Sequence, residues 1–286
     1  MKTHSSAVLL FSCPDRKGIV AAISGFIHQH NGNIIDSSQY YDDESGTFFM
    51  RMEWDLNNFD LSEHDLTENF RPLADRFTMD WYLHFSNNVQ RIAIFVSREL
   101  YCLYDLLLRH REGEIPAEVA AVVSNHPTAA DTAQWFGVPF YHIPVSPATR
   151  QTAEREQIER LSQLGVDTVI LARYMQILST QFIHSFPNRI INIHHSFLPA
   201  FIGARPYHQA YKRGVKIIGA TSHYATADLD EGPIIEQDVT RISHRDSVTD
   251  IMRAGRNLER AVLERAVMLH LQHRVLVFQN KTVIFH

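Results

Sequence analysis

Cysteine is nearly absent from this chain: Cys13 and Cys102 are the only two in 286 residues, and they form no CxxC pair. They cannot build a disulfide framework, which fits a reducing cytoplasm. Long hydrophobic runs are also missing. The apolar run Ala7–Phe11 is too short for a signal peptide, and nothing reaches the ~18 residues of a membrane span, so Val8–Phe11 reads as a strand. Neither sign of charge dominates. A balance of 27 basic against 32 acidic residues argues against a bulk electrostatic grip on nucleic acid or on an anionic membrane. There is no internal repeat and no low-complexity segment. What is present is apolar material, 45% of residues, enough for a sizeable core. At roughly 100–200 residues per domain the length suits one large domain or two ordinary ones. There are also 17 histidines, a surplus that raises the question of a metal.

The pattern changes near residue 85. Before it, Ala7–Ser12 reads as a strand, and Asp15 is placed to cap a helix with apolar residues at Ile19, Val20, Ile23, Phe26 and Ile27. His30-Asn31-Gly32 ends that helix. Ile34–Tyr41 and Thr47–Trp54 read as strands, Leu61–Ala74 as a helix and Phe77–Leu83 as a strand. The order βαββαβ is that of ferredoxin-like domains. After the polar linker Phe85–Val89, strands alternate with helices, which indicates a parallel, doubly wound α/β sheet. Its expected strands are Arg91–Val96, Glu118–Ser124, Pro139–Ile143, Asp167–Ala172, Ile190–Ile193 and Lys216–Tyr224. A long helix over about Val248–Gln272 and a hairpin turning at Gln279-Asn280 complete the chain. The expected division is therefore residues 1–85 and 86–286.

The densest chemistry follows the strand Ile190–Ile193. Asn192 and His194 are two apart, so they share one face of an extended chain. An amide donor beside an imidazole suits acyl transfer: one group stabilises an oxyanion and the other handles a proton. The bland alternative is a strand end with satisfied polar groups. Asp228, Asp230 and Glu231 lie on an acidic turn after the strand Gly219–Tyr224, and a carboxylate beside an imidazole stabilises its cationic form and can orient water. The alternative there is an ordinary solvated turn.

Together these residues resemble the folate-dependent formyltransferase family. The resemblance rests on Asn192-x-His194 with Ser196-x-x-Pro199, on Leu229-Asp230-x-Gly232-Pro233, on Arg173–Ser179 and on the segment His194–Tyr211. The N-terminal Cys13-Pro14-Asp15-x-x-Gly18-Ile19-Val20 with Asn33-Ile34 resembles an ACT domain. The resemblance implies an ACT domain over 1–85 and a Rossmann-like formyltransferase domain over 86–286. It gives Asn192, His194 and Asp230 catalytic roles. It implies a folate site at Arg173, Tyr174, Met175, Gln176, Ile177, Leu178, His195, Ser196, Thr226, Ala227 and Asp228. Gln176 stands where the family frequently has Arg. Asp15, Gly18 and Asn33 are the implied effector residues, with methionine and glycine the candidate effectors. A homo-oligomer, dimer or tetramer, is also implied.

One absence narrows the activity. Family members that formylate a nucleotide amine carry a Gly- and Ser-rich loop after the first strand, which cradles phosphate. Here Ser97–Asp105 contains no glycine, and Glu99 and Asp105 would repel phosphate. His195 stands where the transferases usually have Pro. With no acceptor site, water becomes the nucleophile. The implied reaction hydrolyses 10-formyltetrahydrofolate to formate and tetrahydrofolate, balancing one-carbon folate pools for purine synthesis, with folate as substrate and no cofactor. Asp230 is expected to order and deprotonate the water.

Three rivals stay open: a transferase with an unrecognised amine acceptor, an amino-acid sensor with a dead catalytic remnant, and a metallo-deformylase. Against the last, His184, His194, His195, His208 and His223 form no HExxH, and His270 and His273 lack a completing carboxylate or cysteine. No metal is expected. Arg205, Lys212, Arg213 and Lys216 read either as a solvated helix face or as steering for a polyanionic folate tail.

Overall fold

The computed structural model describes residues 5–199 and 206–286. The chain divides into two compact units. The first comprises residues 1–89 with 273–278 and 283–286, and the second residues 90–272 with 279–282.

The first unit runs β1 (Ser6–Pro14), α1 (Ile19–Gln29), β2 (Asn33–Asp42), β3 (Thr47–Asp55), α2 (Glu63–Phe77) and β4 (Asp80–Phe85). This is the βαββαβ order, with the strands arranged β2-β3-β1-β4, every pair antiparallel. One face of β1 and β3 buries Leu9, Phe11, Met50, Met52 and Trp54 against Ile19, Ile23 and Ile27 of α1 and Leu66 and Phe70 of α2. Those helix positions recur every three or four residues, which is why both helices form and why that stripe turns inward. Asp15 does not cap α1. The N-cap is Gly18, with φ 93° and no side-chain cap, while the Asp15 backbone N–H donates to Gly46.

The expected second unit reached residue 286. Residues 273–278 and 283–286 instead join the first unit, where Leu276 and Phe285 pack on Leu10 and Phe49. Phe49 and Phe278 meet edge to face at 5.0 Å.

The second unit continues with β5 (Gln90–Val96), α3 (Tyr101–Arg111), β6 (Ala117–Ser124), α4 (Ala130–Phe136), β7 (Phe140–His142), α5 (Arg150–Gln163) and β8 (Thr168–Leu171). It then adds α6 (Thr180–Ser185), β9 (Ile190–His194), α7 (Pro206–Arg213), β10 (Ile217–Tyr224), β11 (Ile234–Arg241) and α8 (Val248–Leu271). The hairpin β12 (Val275–Phe278) and β13 (Lys281–Ile284) follows.

The strand order is β11-β10-β9-β8-β5-β6-β7. From β9 to β7 every pairing is parallel, and β5 and β6 are almost wholly buried, as a sheet covered on both faces requires. The sheet is not parallel throughout: β10 and β11 run antiparallel at one edge. The chain steps outward to one side of β5 for β6 and β7 and to the other for β8 and β9. The loops after β5 and β8 therefore diverge at a topological switch point, where open α/β sheets bind ligands. The long helix α8 begins with a capping box, Ser247 and Asp250 each bonding the other's backbone N–H, and packs on β9, β10 and β11.

Candidate active site

The cavity opens at the switch point, with a volume of about 560 Å³. Two loops are stitched together beneath it. The backbone N–H of Ser97, after β5, donates to the carbonyl of Arg173, after β8, at 3.2 Å. The N–H of Met175 donates back to Ser97 Oγ at 3.1 Å, and that hydroxyl donates to Asn125 at 2.6 Å. The loop is anchored further by the Tyr174 ring, which packs edge to face on Phe95 at 5.1 Å, its hydroxyl accepting from Gln157 at 3.0 Å. Its far end is held by Glu154, which accepts from the Ser179 N–H. Met175 and Ile177 are left exposed. An apolar loop face held open on a rigid base suits a flat, partly apolar ligand.

Asn192 and His194 reach the cavity from the end of β9, as their alternation predicts. The register of β10 on β9 sets His223 opposite Asn192. Their side chains meet at 3.1 Å between Asn192 Nδ2 and His223 Nε2. His223 Nδ1 lies 3.0 Å from the Tyr224 carbonyl, which can only accept, so Nδ1 carries a proton. With that tautomer Nε2 accepts from Asn192, and among the described residues nothing else accepts from the amide.

Asp230 arrives from the loop between β10 and β11, with φ 58°. The loop is pinched at its base, where the Tyr224 N–H donates to the Pro233 carbonyl at 2.9 Å. Gly232 is pressed so close there that a Cβ would stand 1.8 Å from the Tyr224 carbonyl oxygen. Asp230 Oδ1 lies 3.2 Å from His194 Nδ1 and 3.6 Å from His223 Nε2. The hydrogen bond from His194 is the first cause that holds the Asp230 carboxyl well below the usual carboxylate range. Nδ1 of His194 is thus engaged, and its Nε2 is buried with no hydrogen-bond partner among the described residues.

The other expected residues divide. Arg173, Tyr174, Met175, Gln176, Ile177, Leu178, His195, Thr226 and Ala227 all line the cavity. Ser196 and Asp228 do not: Ser196 is buried, with its carbonyl accepting from Thr221, and Asp228 is exposed beyond the rim. Burial pushes His195 down to about 3, with Arg173 and His194 adding to the effect, so it is a neutral ring. In the sequence His223 was weighed only among the histidines that form no metal motif. Only the β9–β10 register reveals its contact with Asn192.

Asp15, Gly18 and Asn33 do not bound one pocket within a single copy. Asp15 and Gly18 follow the end of β1, where Pro14 pairs with Thr47. Asn33 pairs with Asp55, which also pairs with Ser6 at the start of β1. At ~3.3 Å per strand residue the two places lie at opposite ends of the sheet.

Lys212, Arg213 and Lys216 are exposed and absent from the cavity lining, and Arg205 lies outside the described residues. Asp105 is tied to Arg109 at 3.1 Å rather than facing the cavity. Among the described residues no three His, Cys, Asp or Glu side chains group as a metal site. His270 bonds Thr168 and Tyr224, and His273 stacks on His84 at 3.6 Å.

This fold and site define a formyltransferase-type α/β domain in one chain with an ACT domain: residues 90–267 match the formyl transferase family and residues 7–71 the ACT domain. Over 280 residues the chain is 54% identical to the formyltetrahydrofolate deformylase of Synechocystis sp., covering 98% of both. It is 50% identical to that of Bacillus subtilis, over 97% of this chain and 93% of the relative. The crystal structure of a formyltetrahydrofolate deformylase from Pseudomonas syringae pv. tomato superposes with a TM-score of 0.97 at 46% identity, covering 100% of this chain and 96% of that one. The chain belongs to the formyltetrahydrofolate deformylase family.

Proposed function

We propose that the chain hydrolyses 10-formyltetrahydrofolate to formate and tetrahydrofolate, using Asn192, His194 and Asp230 as its reacting set. The observation that carries the reading is the His194 ring, which lines the cavity: Nδ1 is fixed on Asp230 at 3.2 Å, and Nε2 has no hydrogen-bond partner among the described residues. The pteridine lies along the loop Arg173–Leu178 and against Thr226 and Ala227. The formyl oxygen takes the second Asn192 Nδ2–H.

Water attacks the formyl carbon, and its proton passes to His194 Nε2. A carboxylate held below its usual range is a poor proton acceptor. Asp230 therefore orients the ring and balances the imidazolium, and the expected deprotonation of water falls to His194 instead. The imidazolium then protonates N10, the C–N10 bond breaks, and formate leaves with a new C–O bond. The neutral His195 moves no proton in this scheme. The folate is substrate, and no step calls on a cofactor.

Purified protein given 10-formyltetrahydrofolate and no acceptor should release formate and tetrahydrofolate in equal amounts. Release of neither would overturn the reading. Among the described residues no helix is long and apolar enough to cross a membrane, and the two free cysteines suit a cytoplasmic setting. Control of one-carbon supply to purine synthesis, by a small amino acid such as methionine or glycine acting through the ACT domain of a homo-oligomer, belongs to the same reading. Calorimetry on the intact protein tests it: heat of binding from neither amino acid would remove both candidates.

A further inference from the structure

One carboxylate in the second unit is fully buried and lies outside the reacting set. Glu259 on α8 is 0% exposed. Tyr101, at the start of α3, donates its hydroxyl to Glu259 Oε2 at 2.6 Å, and Tyr207 on α7 donates to Oε1 at 2.5 Å. Arg173 Nη1 stands 3.5 Å from the same group. Burial, reinforced by Glu259, pushes both phenols well above their ordinary range, so both remain donors. Three elements and the switch-point loop thus converge on one charge.

Both tyrosines line the cavity. The Tyr207 ring centroid is 6.2 Å from that of His195, which is 5.0 Å from that of His194. Helix α8 is shaped to this ring: a Cβ on Gly255 would stand 2.3 Å from Tyr207 Cζ and Oη. A glycine inside a helix costs about 1 kcal/mol relative to alanine, and here it leaves the space the ring fills. Towards the mouth, Arg256 lies over the Tyr101 ring at 5.7 Å and faces Glu99 at 3.6 Å. The cavity lining thus has two sides. The loops at 173–178 and 225–230 form one, and Tyr101, Tyr207, Met252 and Arg256 with Glu99 form the other.

We propose that Tyr101 and Tyr207, clasped on Glu259 and seated against Gly255, close the second side of the site, so that water but no amine reaches the formyl carbon. The inference rests on the hydrolytic reading and makes the clasp its specificity determinant. An amine must bring its substituent along with its nitrogen, and in this proposal the two rings and the Glu99–Arg256 pair, which line the cavity, deny that substituent room. Water needs no such room. If an amine entered, its nitrogen would bond the formyl carbon, the C–N10 bond would break, and a proton lost from the amine would go to N10. The product would be a formamide in place of formate.

The test is a competition in which the full-length protein receives 10-formyltetrahydrofolate with increasing glycinamide, and formate and N-formylglycinamide are both quantified. The wild type should give formate with no more than a trace of formamide. Y101A, Y207A and the double variant should form the formamide in proportion to glycinamide, raising the amide-to-formate ratio about tenfold or more. The ratio separates access from rate, because a merely structural loss lowers both products together. Y101F/Y207F keeps both rings and loses only the bonds to Glu259, so it serves if truncation prevents folding, with a smaller rise expected. Folded variants that yield only formate at every glycinamide concentration would overturn the clasp, as would a wild type that already makes the formamide at the variants' ratio. Absence of formate from the wild type without glycinamide would instead overturn the hydrolytic reading.

Discussion

In the proposed reaction Asn192, His194 and Asp230 divide the work by what each atom already touches. Removing the Asn192 donor by Asn192→Ala should lower kcat by about 10²–10³, since one oxyanion donor is typically worth that much. Formate release checks it, and a wild-type rate would remove Asn192 from the site. Asp230→Asn keeps the shape and removes the charge that holds His194 Nδ1. Its kcat should fall by about 10² or more, with KM changed less. That Asn192 and His194 share a face was legible because they stand two apart on a strand, whereas Asp230 was read from the acidic turn after the next strand and from the family resemblance. His223 was not legible as their partner. Its 3.1 Å contact with Asn192 depends on which residue of β10 lies across from β9, and register is not written in either strand alone. Ser196 and Asp228 misled for a related reason: adjacency in a motif does not say which side chains turn toward the cavity.

At the scale of elements, the loop that delivers Asp230 depends on a close backbone approach. Gly232→Ala would place a Cβ 1.8 Å from the Tyr224 carbonyl oxygen, a contact with backbone that cannot rotate away. The substitution should destabilise the second unit by roughly 3 kcal/mol and displace Asp230, lowering both Tm and kcat. An unchanged Tm would contradict the pinched loop. The capping box of α8 is a milder case, with Ser247→Ala expected to cost about 1 kcal/mol in chemical denaturation. The helices and the parallel strands were readable from period and apolar runs. The antiparallel direction of β10 and β11 was not, because a buried strand reads the same whichever way it runs. Asp15 looked like a cap because of its residue type, yet the chain turns into α1 through the left-handed backbone of Gly18.

For the whole molecule, each unit carries a histidine that folding keeps neutral. Burial pushes His84 in the first unit down to about 4, and burial, with Arg173 and His194, pushes His195 in the second down to about 3. An unfolded histidine takes its proton near pH 6.5, before either folded ring does. Below that pH the unfolded chain binds more protons, so this contribution is full above about pH 6.5 and is lost as pH falls toward 4 and 3. Asp230 has the same sign in a lower window: its contribution is present above the usual carboxylate pKa and is lost below it. Denaturation midpoints should therefore fall between pH 7.5 and 5, and His84→Asn should flatten that fall. An equally steep fall in the variant would contradict the assignment. The two-unit plan was legible from the change of pattern near residue 85. The return of residues 273–278 and 283–286 to the first unit was not, because packing of Leu276 and Phe285 on Leu10 and Phe49 joins the far ends of the chain.

The central claim is that water is the nucleophile at a formyl carbon held between Asn192 and His194. Turnover of 10-formyltetrahydrofolate in H2(18)O, with no amine present, tests it most directly. Formate should carry one solvent oxygen atom and be released with tetrahydrofolate one for one. Formate without the label, or no formate until an amine is supplied, would contradict it.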